Sequence, residues 1–117
     1  MPLVKKRLTI GAGLTSDQVL QGTTYEYVDQ GTRIVVAAQD STGTYTGNSK
    51  LNFTVNNAEF ASDCVVSEAV TGEPFGWNGN YVMNDMVTTG AVRNRPVITF
   101  TNEDAASCTI DVAVFIA

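Results

Sequence analysis

The stretch that decides the fold is RNRPVITFTNEDAASCTIDVAVFIA, residues 93–117. In its second half every other residue is apolar, and these residues are Cys108, Ile110, Val112, Val114 and Ile116. Successive side chains of a strand point to opposite faces, so a period of two predicts a strand with one apolar face. Residues 96–101 alternate in the same way, and the polar residues 102–107 predict a short connection or a single helical turn. We expect this closing strand to be central in its sheet.

The rest of the chain contains further short runs of the same kind, separated by turn residues. The predicted strands are Leu3–Ile10, Thr23–Val28, Thr32–Gln39, Lys50–Asn56, Cys64–Ala69, Tyr81–Val87, Arg95–Thr101 and Cys108–Ile116. Residues 57–62 are predicted to be a connection. Eight short strands at this spacing are typical of an all-β sandwich or barrel. Periodicity leaves open a jelly roll and an immunoglobulin-like sandwich.

The length and composition of the chain predict one domain with a modest hydrophobic core. A chain of 117 residues predicts a single domain over residues 1–117, in which residues 1–20 could include an extended arm. The net charge of −5 argues against a general nucleic-acid binder, and no sequence-specific nucleic-acid binding is expected. No apolar run approaches the roughly 18 residues of a membrane span, and the first residues lack the apolar segment of a secretory signal, so we expect neither a membrane span nor a signal peptide. We expect synthesis in a cytoplasm.

Residues that could perform catalysis are few. Histidine is absent, which removes the commonest general base and metal ligand. Cys64 and Cys108 form no metal-binding pair, and the parity of Cys108 predicts a buried free thiol. Asp40 and the pair Glu103-Asp104 could offer oxygen ligands to calcium, but they lack the regular spacing of a dedicated loop. The prediction is a protein that is not an enzyme and has no cofactor and no metal.

The clearest loop, residues 71–80, contains the single tryptophan. The candidate contact residues of this loop are Phe75, Trp77, Asn78, Asn80 and Tyr81. Aromatic faces beside amide groups suit a sugar-binding platform. The favoured interpretation is that Phe75 and Trp77 plug one end of the sandwich or anchor a subunit contact, because aromatic residues are enriched at interfaces.

A cluster of positive charge, formed by Lys5, Lys6 and Arg7, lies in the first strand, whereas acidic residues dominate the later loops. Such a cluster could contact nucleic acid, an anionic lipid or an acidic partner. A solvated strand edge with three charges is an equally good interpretation.

Three pieces of the chain together resemble a known family. They are VLQGTTYEYV (19–28), the hairpin TRIVVAAQDSTG with LNFTV (32–43 and 51–55), and the ending RPVITFTNEDAASCTIDVAVFIA (95–117). They are similar to the small single jelly-roll capsid proteins of tailless icosahedral bacteriophages, which are penton or vertex proteins and minor capsid subunits. The resemblance is one of pattern and length over nearly the whole chain, and it involves no invariant motif.

The resemblance implies an antiparallel β-sandwich of eight strands, B to I, in two sheets ordered BIDG and CHEF. The eight predicted strands would be B to I in chain order, with a continuation of B to Leu20 left open. The family has no catalytic residues. Its implied work is structural: a virion protein that self-assembles into pentamers or larger shells, or packs beside a major coat protein. The alternative is a capsid decoration, spike-head or carbohydrate-binding module that uses the loop Phe75–Tyr81.

Overall fold

A computed structural model describes residues 3–42, 46–66, 68, 82–88 and 93–117, with the backbone alone described for residues 82–85. These residues are all-β, as predicted, and form antiparallel sheets in a sandwich-like arrangement. The strands in the described ranges are Leu3–Ile10 (β1), Val28–Asp29 (β2), Arg33–Asp40 (β3), Ser49–Val55 (β4), Ala58–Val65 (β5), Val82–Val87 (β6), Arg93–Asn94 (β7), Pro96–Asn102 (β8) and Cys108–Ile116 (β9).

The first sheet has four strands in the order β1-β9-β3-β6. The closing strand β9 is central in it, which confirms the prediction from residues 108–116. It pairs with β1 on one side, where Leu8 is opposite Ile110, and with β3 on the other, where Val36 is opposite Val114. Because β9 has a partner along both edges, its backbone hydrogen bonds are satisfied without water.

The second sheet has three strands in the order β5-β4-β8, and the short strands β2 and β7 pair beside it. Residues 14–19 run antiparallel along the outer edge of β8. The Ser16 N–H donates to the Phe100 carbonyl at 2.8 Å and the Val19 N–H donates to the Ile98 carbonyl at 2.9 Å. The first strand therefore ends at Ile10, and the segment after it covers an edge of the other sheet instead of lengthening β1.

The core lies between the two sheets. It receives alternate residues of each strand, as the period of two predicts: Leu51, Phe53 and Val55 from β4, and Ile110, Val112 and Val114 from β9 are buried. Phe53 and Phe100 are the largest side chains that are fully buried. At roughly 1.5–3 kcal/mol for each large side chain, burial of this set is the main stabilising contribution. Cys108 is a buried free thiol, as predicted.

The predictions of a connection over residues 57–62 and of a strand that begins at Cys64 were wrong, and residues 67 and 69 of that predicted strand lie outside the described residues. Residues 58–62 of the expected connection belong to β5, which begins at Ala58 directly after a two-residue turn. Asn56 and Asn57 form that turn with φ angles of 52° and 67°. Asparagine tolerates the left-handed region better than most residues, so two of them suffice to reverse the chain. Most of β5 is exposed, and its sequence consequently lacks the apolar alternation that marks a strand.

The predicted strand Thr23–Val28 is also largely a set of turns. Gly22 has a φ of 77°, and the Thr23 hydroxyl donates to the Leu20 carbonyl at 2.7 Å. Only Val28 enters a strand, the two-residue β2. Threonine side chains that hydrogen-bond nearby carbonyls favour turns, and this local bonding outweighs the β propensity of the run.

Candidate functional site

The loop Phe75–Tyr81 lies outside the described residues, and the prediction made for Phe75, Trp77, Asn78, Asn80 and Tyr81 stays a prediction. The basic cluster lies in β1, whose residues alternate between the two faces of the sheet. Lys6 shares the core-side face with Val4 and Leu8, and Lys5 and Arg7 lie on the opposite face. The three charges therefore do not form one patch.

Arg7 has a structural partner on the neighbouring strand. Its Nε donates to Asp111 Oδ1 at 2.7 Å and its Nη2 donates to Asp111 Oδ2 at 3.3 Å. The Ser41 hydroxyl donates to the same carboxylate at 2.9 Å. Burial opposes ionisation of Asp111, but the hydrogen bonds from Arg7, Ser41 and Gln39 outweigh it and lower the pKa of this carboxyl. The charge of Arg7 is largely neutralised within the chain.

A cavity of about 320 Å³ opens at the end of the sandwich where β3 ends. Its lining includes Asp40 and Asp104, two of the acidic residues considered as calcium ligands from the sequence. Asp40 accepts hydrogen bonds from the Ser49 hydroxyl at 3.0 Å and the Thr42 N–H at 2.9 Å. Asp104 accepts from the Thr46 hydroxyl at 2.7 Å, which lowers the pKa of that carboxyl. Within the described ranges, no three acidic, cysteine or histidine residues are grouped to hold a metal.

Asn102 organises this end of the molecule, a role that sequence reasoning missed. The side chain is 0% exposed. Its Nδ2 donates to the carbonyls of Ile10, Gly11 and Ala106 at 3.1, 3.2 and 2.8 Å, and its Oδ1 accepts from the Asp104 N–H. One buried amide thus joins the end of β1 to the corner between β8 and β9. The only signal in the sequence was an asparagine that opens a polar connection, which is common in turns.

A second feature missed from the sequence is an open cleft of about 450 Å³ beside β2 and β7. The lining residues are Thr23, Thr24, Glu26, Tyr27, Val28, Asp29 and Arg93. The Arg93 guanidinium lies 4.2 Å from the centroid of the Tyr27 ring, a favourable cation–π contact. Tyr27 also lines a neighbouring hollow of about 360 Å³ with Tyr25 and Ile116. An aromatic ring between two hollows, with carboxylates and hydroxyls nearby, is suited to a polar ligand that has an apolar face.

Two strands form the sheet edges that matter for association. β1 ends the four-stranded sheet, and β5 ends the three-stranded sheet. β1 keeps an unbroken register over eight residues, whereas β5 has two register shifts against β4. An edge strand leaves alternate N–H and C=O groups unpaired, so each is a surface on which another chain can pack.

No protein-family model, no curated protein and no solved structure matches this chain. In the described part of the chain, no helix is long and apolar enough to cross a membrane. Function is therefore inferred from the residues and contacts of the chain itself.

Proposed function

We propose that this protein is a structural virion protein: a single jelly-roll subunit, either a vertex (penton) or a minor capsid protein, of an icosahedral phage capsid. It assembles with copies of itself and packs beside a major coat protein. Its proposed location is the virion, and its proposed role is structural, with no reaction catalysed. Of the contacts considered for the basic residues of β1, an acidic partner is favoured over genome or internal lipid, because Asp111 neutralises Arg7 and because Lys5 and Lys6 lie on opposite faces.

The observation that carries the proposal is the strand order. If β1, β3, β6 and β9 are strands B, D, G and I, the order β1-β9-β3-β6 is B-I-D-G. With β4, β5 and β8 as E, F and H, the second sheet is F-E-H, and residues 14–29 run along β8 and β7 in the place of strand C. This agreement supports a jelly roll of eight strands.

The same order disfavours the immunoglobulin-like alternative. That fold places its first strand beside its second in one sheet. Here β1 pairs with the last strand, β9, and the segment that follows β1 belongs to the other sheet. In the BIDG arrangement the first strand, B, is also the neighbour of the last strand, I, so the pairing of β1 with β9 supports a jelly roll.

The low charge of the chain and its exposed apolar side chains favour an assembled protein over a monomer. Charged residues make up 16% of the chain, below the roughly 25% typical of soluble domains. β5 exposes Phe60 at 45% and Val65 at 50%, both on an edge strand. Large apolar side chains together on one edge are typical of a surface that a neighbour covers.

Native mass spectrometry of the purified chain, with negative-stain microscopy of the same sample, tests the proposal. We expect pentamers, rings or closed shells, and the symmetry would distinguish a vertex subunit from a minor capsid subunit. A protein that stays monomeric at high concentration, at both low and high salt, would contradict self-assembly.

The second candidate is a decoration, spike-head or carbohydrate-binding module, and the Tyr27 cleft favours it. A sugar presents an apolar ring face to tyrosine and hydroxyls to Glu26, Asp29 and the threonines. Glycan-array binding that is lost in Tyr27→Ala supports this function. If binding persists in Tyr27→Ala but is lost in Trp77→Ala, the loop Phe75–Tyr81 is the glycan site instead.

A further inference from the structure

We propose that copies of this chain associate head to tail: the β1 edge of one copy packs against the β5 edge of the next. The occupant of each edge is a second copy of the chain. This inference rests on the proposed self-assembly and adds to it the two surfaces that meet.

The two edges lie on opposite sides of the sandwich. β1 is on the side of β8, because the buried Asn102 side chain of β8 donates to the carbonyl of Ile10 at the end of β1. β5 is on the other side, where it ends its sheet and contacts β6, the far strand of the four-stranded sheet. A subunit with two different contact surfaces on opposite sides can join neighbours in a continuous series.

The two edges differ in charge. β1 contributes Lys5 and Lys6, in addition to Arg7, whose charge Asp111 neutralises. β5 contributes Glu59 and Asp63, which are both exposed. Opposite charges on surfaces that meet accelerate association and disfavour wrong partners. Contact between two β1 edges or between two β5 edges would bring like charges together, and the head-to-tail contact does not.

Both edges also offer apolar surface. Leu3 at the start of β1 is 48% exposed, and Phe60 and Val65 of β5 are 45% and 50% exposed. In β6, beside β5, Val87 is 52% exposed. Four of the six large apolar side chains that are exposed in the described residues therefore lie on these two sides, which is where a contact surface needs them.

Backbone geometry makes the two edges unlike as well. β1 presents a regular edge, whereas β5 is interrupted by register shifts and by Asp63, whose φ is 52°. A bulged strand cannot continue a backbone ladder over its whole length. The contact is consequently formed mainly by side chains, and two different surfaces generate a ring when the rotation between copies closes.

Two variants, each with one blocked edge, test this arrangement. Lys5→Glu with Lys6→Gln blocks the β1 edge, and Glu59→Lys with Asp63→Asn blocks the β5 edge; asparagine keeps the left-handed backbone at position 63 accessible. Asp17→Asn with Glu103→Lys changes the net charge by the same amount as the second variant, at exposed positions outside β1 and β5. Sedimentation velocity and native mass spectrometry measure each protein alone and the two edge variants mixed.

We expect self-association to weaken about tenfold or more in each edge variant alone and to stay unchanged in the control. Mixing the two edge variants should restore association to a one-to-one dimer or larger species, because one intact edge remains on each and the charges introduced on the two altered edges are also opposite. That association would also show that both variants fold. A mixture that stays monomeric while the unmodified chain forms oligomers would overturn the inference and leave self-assembly intact. Homodimers of either variant would indicate an isologous contact and overturn it too. A monomeric unmodified chain would contradict the proposed function itself.

Discussion

Strands β9 and β5 have nearly the same length but opposite surroundings. β9 is central in its sheet, and seven of its nine residues are buried. The buried residues include Asp111 and Ala113, which lie on the face away from the core. Among the described strands, β5 pairs with β4 alone, and its single buried residue is Ala61. The difference shows that a strand can be predicted from its sequence only when neighbouring elements bury it, because burial is what requires apolar residues at alternate positions. β9 was predicted to the residue, and β5 was predicted six residues late.

The largest expected effect is a difference in stability between two variants that carry the same substitution, valine to alanine, in β9 and in β5. Val112→Ala in β9 should lower the free energy of unfolding by about 2–3 kcal/mol, because Val112 is fully buried and the truncation leaves a cavity. Val65→Ala in β5 should cost less than about 0.5 kcal/mol, because Val65 is half exposed. Urea denaturation of the two variants measures both values. Equal losses would contradict the assignment of β5 to an exposed edge.

The next effect concerns the outer face of β9. Asp111→Asn should cost about 1–2 kcal/mol near neutral pH, because it replaces the charged partner of Arg7 and Ser41. The pKa of Asp111 is lowered from 3.8, so the contribution of the carboxylate is present above about pH 3.8 and is lost as the pH falls through the lowered pKa.

The stability difference between the unmodified chain and Asp111→Asn should therefore shrink in strongly acidic solution. Urea denaturation between neutral and acidic pH measures it, with the exposed Asp17→Asn as the control. A gap that stays constant into strong acid would mean that the ion pair does not stabilise the fold.

The smallest of the three effects tests how β5 is placed. Asn57→Ala should cost about 1 kcal/mol, because alanine at a φ of 67° is disfavoured in the left-handed region. Asn57→Gly, which adopts this conformation freely, should keep the hairpin near its original stability. Thermal unfolding compares the two. If alanine and glycine behave alike at position 57, the turn does not set the position of β5.

The candidate sites, like the strands, include features that local sequence predicted and features that depend on residues distant in the chain. Cys108 was predicted as a buried thiol because it continues an apolar alternation, and burial indeed raises the pKa of this thiol. Asp40 and Asp104 were each considered as ligands, but their meeting in one cavity depends on two loops that are distant in sequence. The cleft around Tyr27 was missed because Arg93 reaches it from the far end of the chain.

What the sequence by itself determined is the all-β class and the strands with a buried face, because local alternation and burial have the same period. Asn56 and Asn57 also favour a turn locally, but the sequence did not show that this turn joins two paired strands. The tertiary structure alone decided the strand order, the pairing of Arg7 with Asp111, and the path of residues 14–19 along β8. These features depend on contacts between residues tens of positions apart, whose hydrogen bonds and packing leave no periodic trace in the chain.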